Sequence, residues 1–390
     1  MNLVLRLCTL VFAFALVSCG GGGSATLASG GGGVGSGGTG ISFGPITGFG
    51  SIFVNGIEFD TQGAAVTVTD GAALQLGMTV EVSGTVQSGL TTGTATSVVA
   101  AADLRGAIDT VNLALGSLSV LGTTVSTDTQ TIIDGVVAFA NLQVGDRVQI
   151  YGLVDAAGSV RATRIELLSG PTTPVVSGQI EALNPGASTF RIGSLTVQFG
   201  TASFVGGLTA GQLADGLRVR VRAATDPVAG VLTASQIQRW NGNAQQEGST
   251  SSVAGVVSNF STLGSFQVLG IPVDASAAQI TGGTAGAIGN GVKVEVTGVV
   301  SSGVLVASRV AIRHVPGTGG PASFTLDGTV GAFVSSADFR VRGNPVDASG
   351  AGVVFTGGTV GNLADAVRVR IVGSSVVNGV LIADTVTFVP

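Results

Sequence analysis

Few residues in this sequence have side chains suited to nucleophilic or metal-dependent chemistry. His314 is the single histidine, and Cys8 and Cys19 are the two cysteines of the 390-residue chain. A serine or cysteine nucleophile needs a base such as histidine, and a zinc site needs several histidine or cysteine ligands. Neither a second histidine nor a nucleophile-elbow motif accompanies His314, so we interpret it as a surface residue. The sequence therefore predicts no catalytic residue, no cofactor and no enzymatic activity.

Three aspartates occupy equivalent positions in a repeated stretch of sequence. Asp60, Asp274 and Asp347 each follow a short hydrophobic strand pattern. A recurring carboxylate of this kind can bind calcium, or it can cap a turn by accepting backbone N–H bonds. No Asp-x-Asp-x-Asp-Gly loop accompanies these residues. The turn interpretation is therefore favoured over a metal site.

Arginines occupy alternate positions of several predicted strands and so project from one face of each strand. A row of guanidinium groups can hold a phosphate or an acidic sugar. Equivalent positions in another repeat carry Thr79 and Glu81, so no anion site is common to all repeats. A solvated outer strand face is the favoured interpretation. The arginines concerned are Arg218, Arg220 and Arg222, then Arg368 and Arg370, and the further pair Arg340 and Arg342.

The strands that carry these residues belong to a sequence repeated five times. Each copy opens with a glycine before a strand, at intervals of roughly 60 to 80 residues. Two short strands about a turn follow, as in residues 266–275 and their counterpart 339–348. An alternating strand that ends in a small residue comes next, and a closing strand ends the copy. The opening glycines are Gly44, Gly106, Gly178, Gly255 and Gly328.

Composition and strand order together predict an all-β fold. Glycine accounts for 64 residues, and charged residues make up only 10% of the chain. Short strands with open edges are unfavourable in water, and closure into a small barrel removes those edges. The order of three strands, a short helical link and two strands fits an OB-like barrel. We therefore predict a tandem array of five small OB-like five-stranded β-barrels, each enclosing its own apolar interior, after a disordered Gly-rich tether.

The N-terminus resembles a bacterial lipoprotein signal. Arg6 precedes an apolar stretch over residues 7–17, and Leu16-Val17-Ser18-Cys19 resembles a lipobox followed by a run of glycines. An ordinary signal peptide cut near Ser18 is the alternative. The resemblance implies that Cys19 carries a thioether diacylglycerol and that its amine is a site for a further acyl chain such as palmitate. Gly20, in place of aspartate, implies the outer membrane as the destination.

These observations divide the chain into seven segments. Residues 1–18 are predicted to be the signal peptide, and residues 19–42 the lipidated cysteine with a flexible Gly/Ser linker. Short stretches rich in Gly, Pro, Ser and Thr separate the later repeats. The five barrels are predicted over residues 43–102, 103–169, 175–241, 252–314 and 324–390.

Residues 48–60, Gly-Phe-Gly-Ser-Ile-Phe-Val-Asn-Gly-Ile-Glu-Phe-Asp, are similar to the start of a repeated bacterial domain of unknown function. That domain is found in secreted proteins and lipoproteins. The resemblance covers nearly all of residues 43–388 and implies an OB-like fold. The family has no established reaction, so the resemblance implies none for this chain.

The sequence as a whole predicts a lipid-anchored protein of the bacterial cell envelope, with barrels that act as binding or structural modules. Its expected partners are the membrane, through the N-terminal lipid, and envelope polysaccharide or protein. A net charge of −5 and single Tyr151 and Trp240 residues argue against nucleic acid. One alternative is an accessory subunit of an envelope enzyme or transport system. Another is an integral outer-membrane β-barrel, disfavoured by short strands without aromatic girdles.

Overall fold

The computed structural model describes residues 38–87, 89–154, 158–240, 247–314 and 324–390. This part of the chain is all-β: it consists of strands joined by turns and four single-turn 3₁₀ helices, without an α-helix. Within the same described ranges, no helix has the length and apolar character needed to cross a bilayer.

The first repeat shows how each barrel closes. Its first strand pairs with the second and fifth, the second pairs with the third, and the third runs parallel to the sixth. The sixth strand pairs with the fifth, so five strands form the closed ring of an OB-like barrel. The fourth strand is a short addition that also runs parallel to the sixth. The strands are β1 (Gly38–Phe49), β2 (Ile52–Val54), β3 (Ile57–Asp60), β4 (Ala65–Val68), β5 (Thr79–Val86) and β6 (Thr92–Ala100).

Repeats 2 and 3 form the same ring, with a 3₁₀ turn before the penultimate strand. In repeat 3 the opening strand is divided in two. Repeat 2 contains β7 (Leu104–Asn112), β8 (Ser117–Val120), β9 (Thr123–Ser126), β10 (Ile132–Asp134), the turn Phe139–Asn141, β11 (Arg147–Val154) and β12 (Val160–Leu167). Repeat 3 contains β13 (Val175–Gln179), β14 (Glu181–Asn184), β15 (Thr189–Ile192), β16 (Leu195–Gln198), β17 (Ser203–Val205), the turn Ala210–Gln212, β18 (Arg218–Ala223) and β19 (Val231–Arg239).

Repeats 4 and 5 repeat this topology once more. In repeat 5 the two closing strands are each divided. Repeat 4 contains β20 (Thr250–Thr262), β21 (Ser265–Val268), β22 (Ile271–Asp274), β23 (Gln279–Thr281), the turn Ala285–Ala287, β24 (Lys293–Ser301) and β25 (Val304–His314). Repeat 5 contains β26 (Phe324–Ser335), β27 (Asp338–Val341), β28 (Asn344–Asp347), β29 (Val354–Thr356), the turn Val360–Asn362, β30 (Arg368–Gly373), β31 (Ser375–Val377), β32 (Val380–Ile382) and β33 (Thr385–Phe388).

The opening glycine of a repeat makes room for a side chain from the turn between its second and third strands. In repeat 2 a Cβ on Gly106 would lie 2.9 Å from Leu121 Cγ, and in repeat 4 one on Gly255 would lie 3.1 Å from Leu269 Cγ. Both leucines have positive φ, as the first residue of a type I′ hairpin turn requires, and a glycine follows each. The opening glycine of a repeat and the turn between its second and third strands are therefore in contact, because the first turn residue folds back over the glycine.

The small residue that ends the alternating strand lies at a β-bulge. The pairing of β24 with β25 shifts register between Thr297 and Gly298, and that of β5 with β6 between Ser83 and Gly84. A Cβ on either glycine would lie 2.1 Å from a carbonyl oxygen of the partner strand. The bulge brings the two backbones too close for most side chains, and this explains the recurrence of glycine at the position.

The apolar interiors of the barrels merge into three clusters. One contains the cores of repeats 1 and 5, a second those of repeats 2 and 3, and a third that of repeat 4. The expectation that each barrel encloses a separate interior therefore largely holds for repeat 4 and is wrong for the other four repeats, whose apolar residues are continuous in pairs. The described residues from Gly38 to Pro390 form one compact unit.

Strand pairing also crosses between repeats. The long β1 runs parallel to β20 of repeat 4 and to β26 of repeat 5, in addition to its pairing inside repeat 1. β7 pairs with β13, which joins repeats 2 and 3, and β10 meets β31, which joins repeats 2 and 5. Strand edges that an isolated barrel would expose are covered by its neighbours.

The start of the folded unit differs from the prediction. β1 begins at Gly38, inside the predicted linker 19–42, because residues 38–42 pair with β5 and residues 40–42 also pair with β20. The predicted helical link in repeat 2 is confirmed as the single turn Phe139–Asn141. The predicted signal peptide, Cys19 and the linker up to residue 37 lie outside the described residues.

Candidate functional site at the repeat junctions

The predicted arginine row of repeat 3 holds a carboxylate from repeat 1. Arg220 and Arg222 on β18 both pair with Asp70, whose side chain is 0% exposed, and Arg222 Nη2 lies 2.7 Å from Asp70 Oδ1. Arg105 of repeat 2 adds a third guanidinium, 3.3 Å from the same Oδ1. Arg218 and Arg220 are buried, so the expected solvated face is wrong for them. The anion that this arginine row binds in the structure is the Asp70 carboxylate of the same chain.

Burial sets the electrostatics of this junction. Desolvation lowers the pKa of Arg220 to about 10, and the nearby charge of Asp70 opposes that shift. Arg220 Nε donates to the carbonyl oxygen of Ala102 at 2.8 Å, and its guanidinium carbon lies 5.0 Å from the centre of the Trp240 ring. These contacts hold Arg220 of repeat 3 against repeat 1, so its charge has a structural role at this junction.

Asp103 is a second buried carboxylate at the same junction, at the boundary of repeats 1 and 2. Its Oδ1 accepts a 2.7 Å hydrogen bond from Trp240 Nε1, and its Oδ2 accepts one of 3.0 Å from the Gly152 backbone N–H. Burial raises the pKa of Asp103 to about 6, and the two hydrogen bonds and Arg220 partly oppose the rise. Asp70 and Asp103 were not predicted as site residues, because neither belongs to the recurring pattern of the repeats.

A cavity of about 220 Å³ lies where repeats 1, 2, 4 and 5 meet. Lys293, the single lysine of the chain, lines it from β24 and lies 3.6 Å from Asp128 of repeat 2. Burial lowers the pKa of Lys293, and the charge of Asp128 opposes that change. On the same strand Glu295 accepts a 2.6 Å hydrogen bond from Arg313 Nη2. The charges at this cavity are therefore largely balanced by residues of the protein itself.

The predicted arginine pair of repeat 5 is solvated, as expected for an outer strand face. Arg368 and Arg370 on β30 are 58% and 52% exposed. Both contact Asp327 of β26, with Arg370 Nη2 2.7 Å and Arg368 Nη2 3.5 Å from its carboxylate oxygens. Exposed pairs of this kind contribute little to stability.

The further pair Arg340 and Arg342 lines a cleft of about 390 Å³ between repeats 1, 2 and 5. Arg340 Nη1 donates to the carbonyl oxygen of Gly343, and Arg342 Nε donates to that of Asp327, each at 3.0 Å. Both side chains are exposed. Neither is ion-paired with a carboxylate in the described ranges, so their charges face the cleft without a counter-ion from those residues.

The three recurring aspartates cap turns. Asp60 Oδ1 accepts a 2.9 Å hydrogen bond from the backbone N–H of Gln62. Asp274 and Asp347 accept equivalent bonds from the N–H and hydroxyl groups of the serines two residues later. The turn interpretation is confirmed, since each carboxylate bonds the chain two residues ahead.

The structure bears only in part on the residues considered for nucleophilic or metal chemistry. His314 is the last residue of β25, where its backbone pairs with Lys293. Across the described ranges, no group of three or more His, Cys, Asp or Glu side chains is placed to hold a metal ion. Cys8 and Cys19 precede the first described residue.

Comparison with known families identifies the repeated unit. The model of a family described as "Domain of unknown function (DUF5666)" matches residues 43–98, 105–166, 177–238 and 254–311. The chain belongs to this family. The four DUF5666 matches fall within the first four predicted barrels, and repeat 5 continues the same strand order beyond them.

The other comparisons add no functional information. No curated protein matches this chain. A solved structure described as "drosophila Unr CSD456" shares 12% sequence identity with it, over 52% of this chain and 97% of that one. The TM-score is 0.17, which is too low to indicate a shared arrangement.

Proposed function

We propose that this protein is a lipid-anchored, non-catalytic binding protein of the bacterial cell envelope, attached to the outer membrane through Cys19. The observation that carries the proposal is the segment Leu16-Val17-Ser18-Cys19, which follows an apolar stretch and precedes a run of glycines. Two or more acyl chains on one cysteine give stable membrane attachment. The Gly-rich residues after Cys19 then act as a spacer between the lipid and the barrels.

The barrels supply the binding surface in this proposal. Buried ion pairs and shared strands join the five repeats, so the clefts between them keep a defined shape. Clefts between packed units are common positions for ligand sites. The expected partner is a component of the envelope, either polysaccharide or protein, and nucleic acid is not expected given the net charge of −5.

The two cysteines provide a matched test of the anchor. The chain is expressed in a bacterium with an outer membrane, labelled with an alkyne analogue of palmitate and separated into soluble and membrane fractions. We expect the wild type and Cys8→Ala to be labelled and membrane-bound, and Cys19→Ala to be unlabelled and soluble. Labelling or membrane retention of Cys19→Ala would contradict the proposal.

A further inference from the structure

The first residue of the turn between the second and third strands is buried in repeats 1, 2 and 4 and exposed in repeats 3 and 5. This residue is Asn55, Leu121 or Leu269 in repeats 1, 2 and 4, and each of these is buried. In repeat 5 the same position is Arg342, which is exposed and has a φ of 51°. Arginine seldom adopts this left-handed backbone conformation. Repeat 5 therefore places an arginine at an exposed turn position, where repeat 3 has Gly193 and the other three repeats have a buried side chain.

The exposed turn of repeat 5 borders the 390 Å³ cleft, whose walls are held together by contacts between repeats. Val377 of β31 pairs with Ile133 of β10 at one wall. The hairpin turn beyond it passes so close to repeat 2 that a Cβ on Gly379 would lie 3.0 Å from Asp134 Oδ1. The cleft is thus part of the packed structure, and its volume falls in the range of small-ligand sites, about 300–1,000 Å³.

Positive charge in the cleft comes from Arg340 and Arg342. A third arginine, Arg164, lies at the buried end, where it is already paired with Asp134 and Glu166. The guanidinium groups of Arg340 and Arg342 bond only backbone carbonyl groups among the described residues. Each retains N–H donors in the planar arrangement that matches a carboxylate. The cleft therefore offers two guanidinium groups to an external anion.

The rest of the lining indicates what kind of anion fits. The amides of Gln75, Asn344 and Asn378 line the cleft. Gln75 Oε1 already accepts from Arg164, and Asn344 Nδ2 already donates to backbone carbonyl groups. The Gln75 nitrogen, the Asn344 oxygen and the Asn378 amide can still bond the hydroxyl groups of a sugar. Pro345 and Val376 add apolar surface against which the C–H face of a sugar ring can pack. A phosphate ion alone would use the arginines and leave the apolar surface and the remaining amide atoms of the cleft without contact to the ligand.

We propose that this cleft binds an acidic polysaccharide, with a sugar carboxylate held by Arg340 and Arg342. The inference rests on the proposed function and specifies the ligand of an envelope binding protein. Carboxylate and guanidinium groups form paired hydrogen bonds, while the amide side chains contact hydroxyl groups of the same sugar or the next one.

The test uses the full chain in detergent micelles and three ligands in titration calorimetry: oligogalacturonate, its methyl ester and polyphosphate. We expect oligogalacturonate to bind, and the methyl ester and polyphosphate to bind at least about tenfold more weakly. Arg340→Ala/Arg342→Ala should weaken oligogalacturonate binding by at least about tenfold. The control is Arg191→Ala, because Arg191 is the repeat 3 counterpart of Arg340, similarly exposed and 3.7 Å from Glu181. This control should bind as the wild type does.

Several results would overturn the proposal. The methyl ester could bind as tightly as oligogalacturonate, or polyphosphate could bind more tightly than it. Arg191→Ala could weaken binding as much as the double variant does. The chain could also self-associate through this cleft, in a way that the double variant abolishes. If the alanine variant unfolds at a lower temperature, Arg340→Gln/Arg342→Gln replaces it, because glutamine preserves most of the side-chain length without the charge. Failure of oligogalacturonate to bind, with Cys19 still labelled by palmitate, would refute the polysaccharide assignment and leave the anchor intact.

Discussion

Asp70→Asn is the substitution that most directly tests how the repeats are held together. Asp70 is fully buried and is paired with Arg105, Arg220 and Arg222 from two other repeats. It also accepts a 3.1 Å hydrogen bond from the Ala102 backbone N–H. Asparagine has nearly the same shape, so the change removes the negative charge with little change in packing.

The expected loss of stability in Asp70→Asn follows from the burial of the arginines that Asp70 contacts. Removing one partner of a buried ion pair leaves an uncompensated charge and costs about 3–5 kcal/mol. Arg220 is the most affected, since its side chain is only 1% exposed and burial already lowers its pKa. Asparagine keeps one acceptor oxygen for a hydrogen bond. We therefore expect Asp70→Asn to lower the free energy of unfolding by about 3 kcal/mol.

Urea unfolding measures this loss, followed by circular dichroism for the whole chain and by fluorescence for the junction. Trp240 is the single tryptophan and contacts both Arg220 and Asp103, so its fluorescence reports on this junction. The double variant Asp70→Asn/Arg220→Met should lose less unfolding free energy than the sum of the losses in Asp70→Asn and Arg220→Met, by about 1–3 kcal/mol.

Asp327→Asn is the matched control, because Asp327 also contacts two arginines of the equivalent strand but at an exposed face. Exposed ion pairs contribute about 0–1 kcal/mol, so this variant should lose less than about 1 kcal/mol. Equal losses for Asp70→Asn and Asp327→Asn, or additive costs in the double variant, would refute the reasoning from burial.

Two further predictions concern pH and backbone packing. The pKa of Asp103 is about 6 in the folded protein against 3.8 for an ordinary aspartate, so the folded state binds the proton more tightly. The free energy of unfolding should therefore fall by about 2 kcal/mol as the pH rises from about 4 to 6, and Asp103→Asn should remove this dependence. Urea midpoints that change with pH in the same way for the wild type and Asp103→Asn would contradict this prediction. Gly298→Ala should cost about 1–3 kcal/mol, because its Cβ would meet backbone atoms of β25. Gly331→Ala is the control, because no atom lies within 4 Å of its added Cβ, and it should change stability by less than about 1 kcal/mol. Thermal unfolding measures both variants. Equal losses of stability in Gly298→Ala and Gly331→Ala would exclude a steric clash at Gly298.

Much of each barrel was predictable because its causes are local. Alternation along β5 predicts that Val80 and Val82 point inward, and both are buried. The same alternation predicts Thr79 and Glu81 in water, yet Thr79 is buried and Glu81 is half-buried. The opening glycines and the bulge glycines recur because a turn or a close backbone contact recurs with them. The prediction of five strands per ring holds. The added short strand of each repeat was missed because it pairs in parallel with the closing strand, which comes later in the chain, and no hairpin turn marks that pairing.

The polar junctions were not predictable in the same way. The rows of Arg218–Arg222 and Arg368–Arg370 have the same alternation, yet the first is mainly buried and the second is exposed. The difference depends on Asp70, which lies 150 residues before Arg220 in the chain. No local pattern marks that aspartate as a partner, and the same is true of Asp128 and Lys293.

The sequence by itself determined the barrel unit, its five copies and the inward face of its strands, since strand alternation and turn glycines act over a few residues. Only the tertiary structure decided which outward faces became buried and which cleft remained open. That choice depends on how whole barrels pack, with β1 paired to two distant repeats and three clusters of apolar residues formed from five interiors. Contacts of this range depend on the shapes of complete surfaces, which no single segment encodes.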